Sequence, residues 1–182
     1  GALGEELTLE LELKVLADVG LVGFPNSGKS TFISKISNSK PKISDYPFTT
    51  LTPNLGIVKY GDYKSFVVAD IPGLIKGASK GEGLGNQFLR HIDRTKVLVY
   101  IIDSNSEDIK KDYAILKNEL ASHNSKLDRL PKLLLLSKID IIIDEEFSQK
   151  KLPNDIEHVK ISSISGKNLE KAIKSIAYLV CD

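Results

Sequence analysis

The stretch Gly23-Phe24-Pro25-Asn26-Ser27-Gly28-Lys29-Ser30 sets two glycines, a lysine and a hydroxyl at the spacing G-x-x-x-x-G-K-[ST]. These residue types specify a way of holding phosphate. Glycines take backbone conformations closed to other residues, so successive N–H groups can turn inward around an anion. A helix starting at the same point adds the positive end of its dipole. Lys29 then reaches β- and γ-phosphates as a point charge, and the Ser30 hydroxyl is placed to ligate the magnesium ion that bridges them. Pro25, Asn26, Ser27, Gly28 and Thr31 complete the nucleotide-contacting stretch.

Two further groups supply what such a loop lacks. Asp70 ends the apolar run Phe66 to Ala69 and begins Asp70-Ile71-Pro72-Gly73, which puts a carboxylate at a strand tip, behind the water shell of a bound magnesium. Gly73 would let a backbone N–H approach the γ-phosphate, so loss of that phosphate would release the segment behind it. Ser137-Lys138-Ile139-Asp140 follows the apolar run Leu133 to Leu136. An aspartate at position 140 can accept hydrogen bonds from N1 and N2 of guanine. Adenine has no donors there and would leave the carboxylate desolvated and unpaired. The Lys138 stem can lie along the base plane. Ser162, Ser163 and Ile164 follow the last strand, where a backbone N–H could meet the guanine O6.

The elements that must position these residues alternate along the chain. Strand patterns are expected at 19–22, 55–60, 65–69, 97–102, 132–136 and 159–161, and a helix over 31–36. Ile109, Tyr113, Leu116 and Leu120 fall on one helical face, as do Leu169, Ile173, Ile176 and Val180. Such alternation predicts an α/β fold, a parallel sheet covered on both faces with its ligands at the carboxyl ends of the strands. Residues 7–15 alternate apolar and polar as a half-buried strand does. Residues 37–53 hold three prolines and read as a long functional loop.

Composition bounds the rest. With 182 residues, 41% hydrophobic content and a formal net charge of +1, the chain can bury an ample single core and shows no basic excess that would announce nucleic acid. Cys181 is the only cysteine, which excludes an intrachain disulfide and suits a reducing, cytoplasmic compartment. No apolar run reaches membrane-spanning length. The chain starts at Gly1 and holds no methionine, so both ends are read as cuts in a longer protein.

Together these motifs resemble the GTPase domain of the Obg family of ribosome-associated GTPases. The resemblance covers nearly all of the chain. It is carried by the residues from Ala17 to Asn26, by Tyr46-Pro47-Phe48-Thr49-Thr50-Leu51, and by the segment from Gly73 through Gly85 to Phe88-Leu89-Arg90-His91. It implies a Ras-like P-loop NTPase fold, a mostly parallel central sheet with helices on both faces. Residues 1–16 would be the tail of a preceding glycine-rich domain and 17–182 the GTPase domain. The implied activity is slow, magnesium-dependent hydrolysis of GTP to GDP in a nucleotide switch, with roles in large ribosomal subunit assembly and stress response. The implied partners are GTP and GDP, guanosine tetraphosphate and the large ribosomal subunit, with no membrane and a monomeric domain.

By the same resemblance Phe48, Thr49 and Thr50 belong to the nucleotide site. Thr50 is expected to place its hydroxyl on magnesium beside Ser30 when the γ-phosphate is present. Lys29, Thr50 and the Gly73 backbone would contact the transition state. Many GTPases place a glutamine after D-x-x-G to orient water; this chain has Leu74, so no catalytic residue is assigned and hydrolysis is expected to be slow. Arg90 and His91 are read as solvated or capping side chains. Asn26 resembles the phosphate-loop asparagine of GTPases that bind potassium, which makes K+ a candidate second cation. The family has asparagine where this chain has Ser137, a shorter side chain with one fewer donor, so weaker nucleotide affinity is expected at a cost on the order of 1 kcal/mol. The alternative to a switch enzyme is a nucleotide-gated binding module with negligible hydrolysis.

Overall fold

A computed structural model describes residues 17–38, 42–43, 54–70, 95–143, 147 and 150–181. Its strands are β1 (Val19–Val22), β2 (Lys42–Ile43), β3 (Asn54–Lys59), β4 (Ser65–Asp70), β5 (Val97–Asp103), β6 (Lys132–Ser137) and β7 (His158–Lys160), and its helices are α1 (Lys29–Ile36), α2 (Ile109–His123) and α3 (Leu169–Cys181). The described strands form one seven-stranded sheet in the order β2-β3-β4-β1-β5-β6-β7. Five of the strands, β4 through β7 in that order, run parallel. β3 runs antiparallel to β4, and β2 antiparallel to β3, an edge consistent with a mostly parallel sheet, although β2 itself was not expected.

The central strands are apolar without interruption because both of their faces are covered. Val97, Val99 and Ile101 of β5 pack into the cluster beneath α1 and α3, together with Leu133 and Leu135 of β6. Leu98, Tyr100 and Ile102 turn to the other face, where Ile109, Tyr113, Leu116 and Leu120 of α2 meet them. Tyr100 and Tyr113 pack edge to face there, with ring centroids 5.0 Å apart. α2 starts where the Asp108 carboxylate accepts from the Lys111 N–H, satisfying one of the otherwise orphaned donors. α3 buries Ala172, Ile176 and Ala177 against the first cluster, with Leu169, Ile173 and Val180 packed around them.

α1 is held through its own buried face, Phe32, Ile33 and Ile36, and its fit against β3 leaves no slack. A Cβ at Gly56 would lie 2.8 Å from Ile33 Cγ2 and 3.3 Å from Ser37 Cβ. Ile33 is β-branched and fully buried, so it can yield only by moving the helix. Gly56→Ala should therefore destabilise the chain by about 1–3 kcal/mol through overpacking. Urea unfolding checks this: the midpoint should fall, and a midpoint equal to or above that of the wild type would show that α1 can shift without strain.

Candidate functional site

Among the described residues, those singled out above for nucleotide chemistry gather at the carboxyl ends of the parallel strands. β1 runs into the loop 23–28, β4 ends on Asp70, β5 ends on Asp103, and β6 ends on Ser137. Parallel strands deliver their following loops to one edge, and that edge is where an α/β sheet presents its ligand crevice.

The loop from Gly23 to Gly28 needs its glycines for different reasons. A Cβ at Gly23 would collide with the Ile101 carbonyl of β5 and lie 2.7 Å from Ser27 Oγ. Gly28 has φ of 96°, a left-handed conformation that costs an L side chain energy but not glycine. It sits at the N-cap of α1 and contributes no side-chain cap. Its carbonyl accepts the first helical bond, from Phe32 N–H at 2.8 Å. The first turn of α1 carries no acidic residue, so its free N–H groups and the dipole are left for an anion. Asn26 also takes a positive φ, 63°, and is exposed beside Pro25.

Lys29 turns its ammonium back into the loop and donates to the carbonyls of Gly23 at 2.8 Å and Phe24 at 3.0 Å. Burial holds this ammonium below the usual lysine range, and Asp70 nearby only partly opposes the shift. Asp70 is the mirror case. Burial pushes its carboxyl above the usual range, against the pull of Lys29 and of a hydrogen bond from Ser30. Ser30 Oγ donates to Asp70 Oδ2 at 3.3 Å, while Oδ1 is buried with no hydrogen-bond partner among the described residues. A hydroxyl and an unsatisfied carboxylate oxygen side by side suit a hard, hydrated cation.

Ser137 is 2% exposed, and its Oγ lies 2.7 Å from the Ser27 carbonyl and 3.2 Å from the Ile102 carbonyl. A hydroxyl has one proton to donate, and the shorter contact identifies Ser27 as its acceptor. The serine thus ties the end of β6 to the phosphate loop, although it carries fewer donors than an asparagine. Lys138 follows with φ of 59°, and its ammonium meets Asp103 Oδ2 at 2.7 Å. The pair is about a third exposed on each side, so it adds under about 1 kcal/mol to stability. Burial raises the Asp103 carboxyl, but Lys138 and the Asn105 donors outweigh it and hold the group below the usual range. Asp140 is exposed. Ile139 N–H donates to the Ile161 carbonyl at 3.3 Å, bringing the base loop beside 162–164. There the Ser162 N–H is taken by the Lys167 carbonyl at 3.1 Å, Ser163 is buried, and Ile164 is exposed.

Phe48, Thr49, Thr50, Gly73, Leu74, Arg90 and His91 lie outside the described residues, as does the segment 1–16. Asp103 was not among the expected site residues. The rule that selected Asp70, a carboxylate at the tip of a buried strand, would have found it.

A family described as 50S ribosome-binding GTPase matches residues 18–138. Curated relatives include GTPase Obg of Chlorobaculum tepidum, 56% identical over 96% of this chain and 51% of its own length. GTPase Obg of Bacteroides fragilis is 56% identical over 89% of this chain and 42% of its own. The chain thus spans about half the length of the curated relatives it matches. Among solved structures, the G domain of the T. maritima FeoB iron transporter superimposes with a TM-score of 0.63 at 20% identity, covering 88% of this chain and 96% of that one. Aquifex aeolicus Era bound to GDP and AlF4− gives 0.61 at 26% identity, over 90% of this chain and 56% of that one.

The opposed shifts of Lys29 and Asp70 predict an effect on stability. A carboxyl whose folded pKa is raised favours the fold fully only when protonated, below its unfolded value, and loses that contribution as pH rises through the folded value. Asp70→Asn keeps an acceptor for Ser30 without the buried charge. It should raise the thermal midpoint of the nucleotide-free chain at about pH 7, and the gain should vanish as pH falls through the raised Asp70 value. Calorimetry across that range decides it; a lower midpoint at neutral pH would mean that Asp70 is stabilising as a carboxylate.

Proposed function

The chain belongs to the family of 50S ribosome-binding GTPases, as a GTPase domain of the Obg type, and on that premise we propose that it is a magnesium-dependent nucleotide switch that binds GTP and GDP and hydrolyses GTP slowly. The observation that carries this reading is the Ser137 Oγ to Ser27 carbonyl hydrogen bond. It joins a loop built for phosphate to a loop ending in Asp140, which can read guanine.

In this mechanism the loop 23–28 and the first turn of α1 cradle the phosphates with backbone N–H groups. The Lys29 ammonium, disfavoured by its burial, gains a counter-charge when polyphosphate enters. Ser30, with Thr50, would ligate magnesium, and Asp70 would accept from the ion's water. When bound, magnesium neutralises charge on the β- and γ-phosphate oxygens. Asp140 accepts from guanine N1 and N2, and the 162–164 loop faces O6 through the N–H of Ser163 or Ile164, since Lys167 occupies that of Ser162.

Slow turnover follows from Leu74, which cannot hydrogen-bond a water molecule. That residue also supports the second reading, a nucleotide-gated binding module with negligible hydrolysis. Lys29, the Gly73 backbone and Thr50 are the proposed transition-state contacts. Asn26 is the proposed potassium ligand, a role that equal hydrolysis rates in potassium and sodium would remove. The family description, 50S ribosome-binding GTPase, supports action on the large ribosomal subunit; guanosine tetraphosphate as a further ligand and the cytoplasm as its place are part of the same proposal.

Fluorescent GDP titrated in magnesium, then competed with GDP, GTP, ATP and XDP, tests the assignment. Guanine nucleotides should compete and ATP should not. Asp140→Asn should weaken GDP on the order of 100-fold and strengthen XDP, because an amide can donate to the C2 carbonyl of xanthine. Equal competition by ATP in the wild type would sink the guanine assignment, and multiple-turnover phosphate release separates the enzyme from the binding module.

A further inference from the structure

We propose that Asp103 is a positioning residue for base recognition, anchoring the Lys138 ammonium so that the lysine's methylene stem forms a fixed shelf against the purine ring. The assignment rests on the guanine-nucleotide reading above and extends it to a residue outside the phosphate and base loops.

The carboxylate is prepared for this task before any ligand arrives. Asp103 lies opposite Ser137 in the β5–β6 ladder, so its side chain starts level with the beginning of the base loop. Its Oδ1 accepts from the Asn105 backbone N–H at 3.0 Å and from Asn105 Nδ2 at 3.2 Å. That leaves Oδ2 for Lys138 at 2.7 Å. The strand ends themselves are tied, since the Ser104 N–H donates to the Ser137 carbonyl at 3.0 Å. Lys138 therefore has its backbone fixed on one side, by Ser137, and its ammonium fixed on the other, by Asp103. The stem between them spans from the tip of β6 to the tip of β5, across the crevice edge.

A lysine is a compact charge on a flexible four-carbon stem, strongly hydrated when free. Released from Asp103, the ammonium would move into water and the stem would sample its rotamers, so ordering it would be charged to every binding event. With the anchor in place that ordering is complete in the empty protein. The pair is too exposed to matter much for folding, which separates this role from a structural one.

The experiment is a double-mutant cycle on the whole chain with fluorescent GDP. Asp103→Asn keeps an acceptor for Asn105 but turns an amide donor toward Lys138. Lys138→Met keeps the stem and removes the ammonium. Each should weaken GDP about three- to ten-fold, and the double variant should bind no worse than the weaker single one, because both break the same contact. Asp103→Glu, which retains the charge, should recover most of the affinity, and the thermal midpoints of the nucleotide-free variants should match the wild type. Losses that add, or Asp103→Asn binding GDP as tightly as the wild type while guanine preference is intact, overturn the Asp103 assignment alone. A wild-type chain without guanine preference overturns it together with the reading beneath it.

Discussion

A loop that offers most of its backbone N–H groups to an anion has few left to hold itself in place, here the Ser27 N–H on the Phe24 carbonyl at 3.2 Å, so much of its shape has to be imposed by its surroundings. Here three neighbours impose it. The Ile101 carbonyl of β5 presses on Gly23 so closely that no side chain fits. Ser137 at the end of β6 holds the Ser27 carbonyl. Lys29 reaches back to the carbonyls of Gly23 and Phe24. All three act on carbonyls or on the space behind the loop and take none of its N–H groups. The apolar strands β5 and β6 therefore do more than form a core: their buried position fixes where the restraining atoms stand, and the packing of Ile33 against Gly56 holds α1 close to β3.

The electrostatics of the site run against the empty state. Burial disfavours the charged form of both Lys29 and Asp70, and neither is fully compensated by the other. The fold gains nothing in stability from this arrangement. A bound magnesium polyphosphate would supply an anion for Lys29 and a hydrated cation beside Asp70, correcting both deficits at once. Instability located at a ligand crevice is what a site held ready for charge looks like, and it trades stability for function.

Much of the fold was legible because the pattern of burial is simple. β5 and β6 are covered on both faces and read as continuous apolar runs. α2 is covered on one face and reads as Ile109, Tyr113, Leu116 and Leu120, all of which are buried. α1 begins at Lys29, two residues ahead of the expected start, since its first turn is polar for the sake of ligand and not of the core. The two-residue β2 was hidden within a proline-bearing stretch, and the antiparallel direction of β3 depends on a hairpin that apolar periodicity does not encode. At the site, spacing alone brought the phosphate loop into view. Asp103 stayed hidden because its partner lies across the sheet, and pairing between strands is a product of topology.

Ser137 shows what a single donor can still hold. From the sequence, a serine in place of asparagine is a loss, one donor fewer and a shorter reach. In the folded chain the short side chain stands close enough to the loop that one proton suffices to tie it. That single proton has two carbonyls within reach, Ser27 at 2.7 Å and Ile102 at 3.2 Å. Turning from the first to the second would free the phosphate loop from the base loop while leaving β6 bound to β5. The connection between the two halves of the crevice is thus narrow. Among the described residues it passes through one rotatable hydroxyl on a buried side chain. Any consequence of the serine for nucleotide affinity then arises from how firmly that hydroxyl ties the two loops, while the anchored Lys138 beside it holds the base loop to the end of β5.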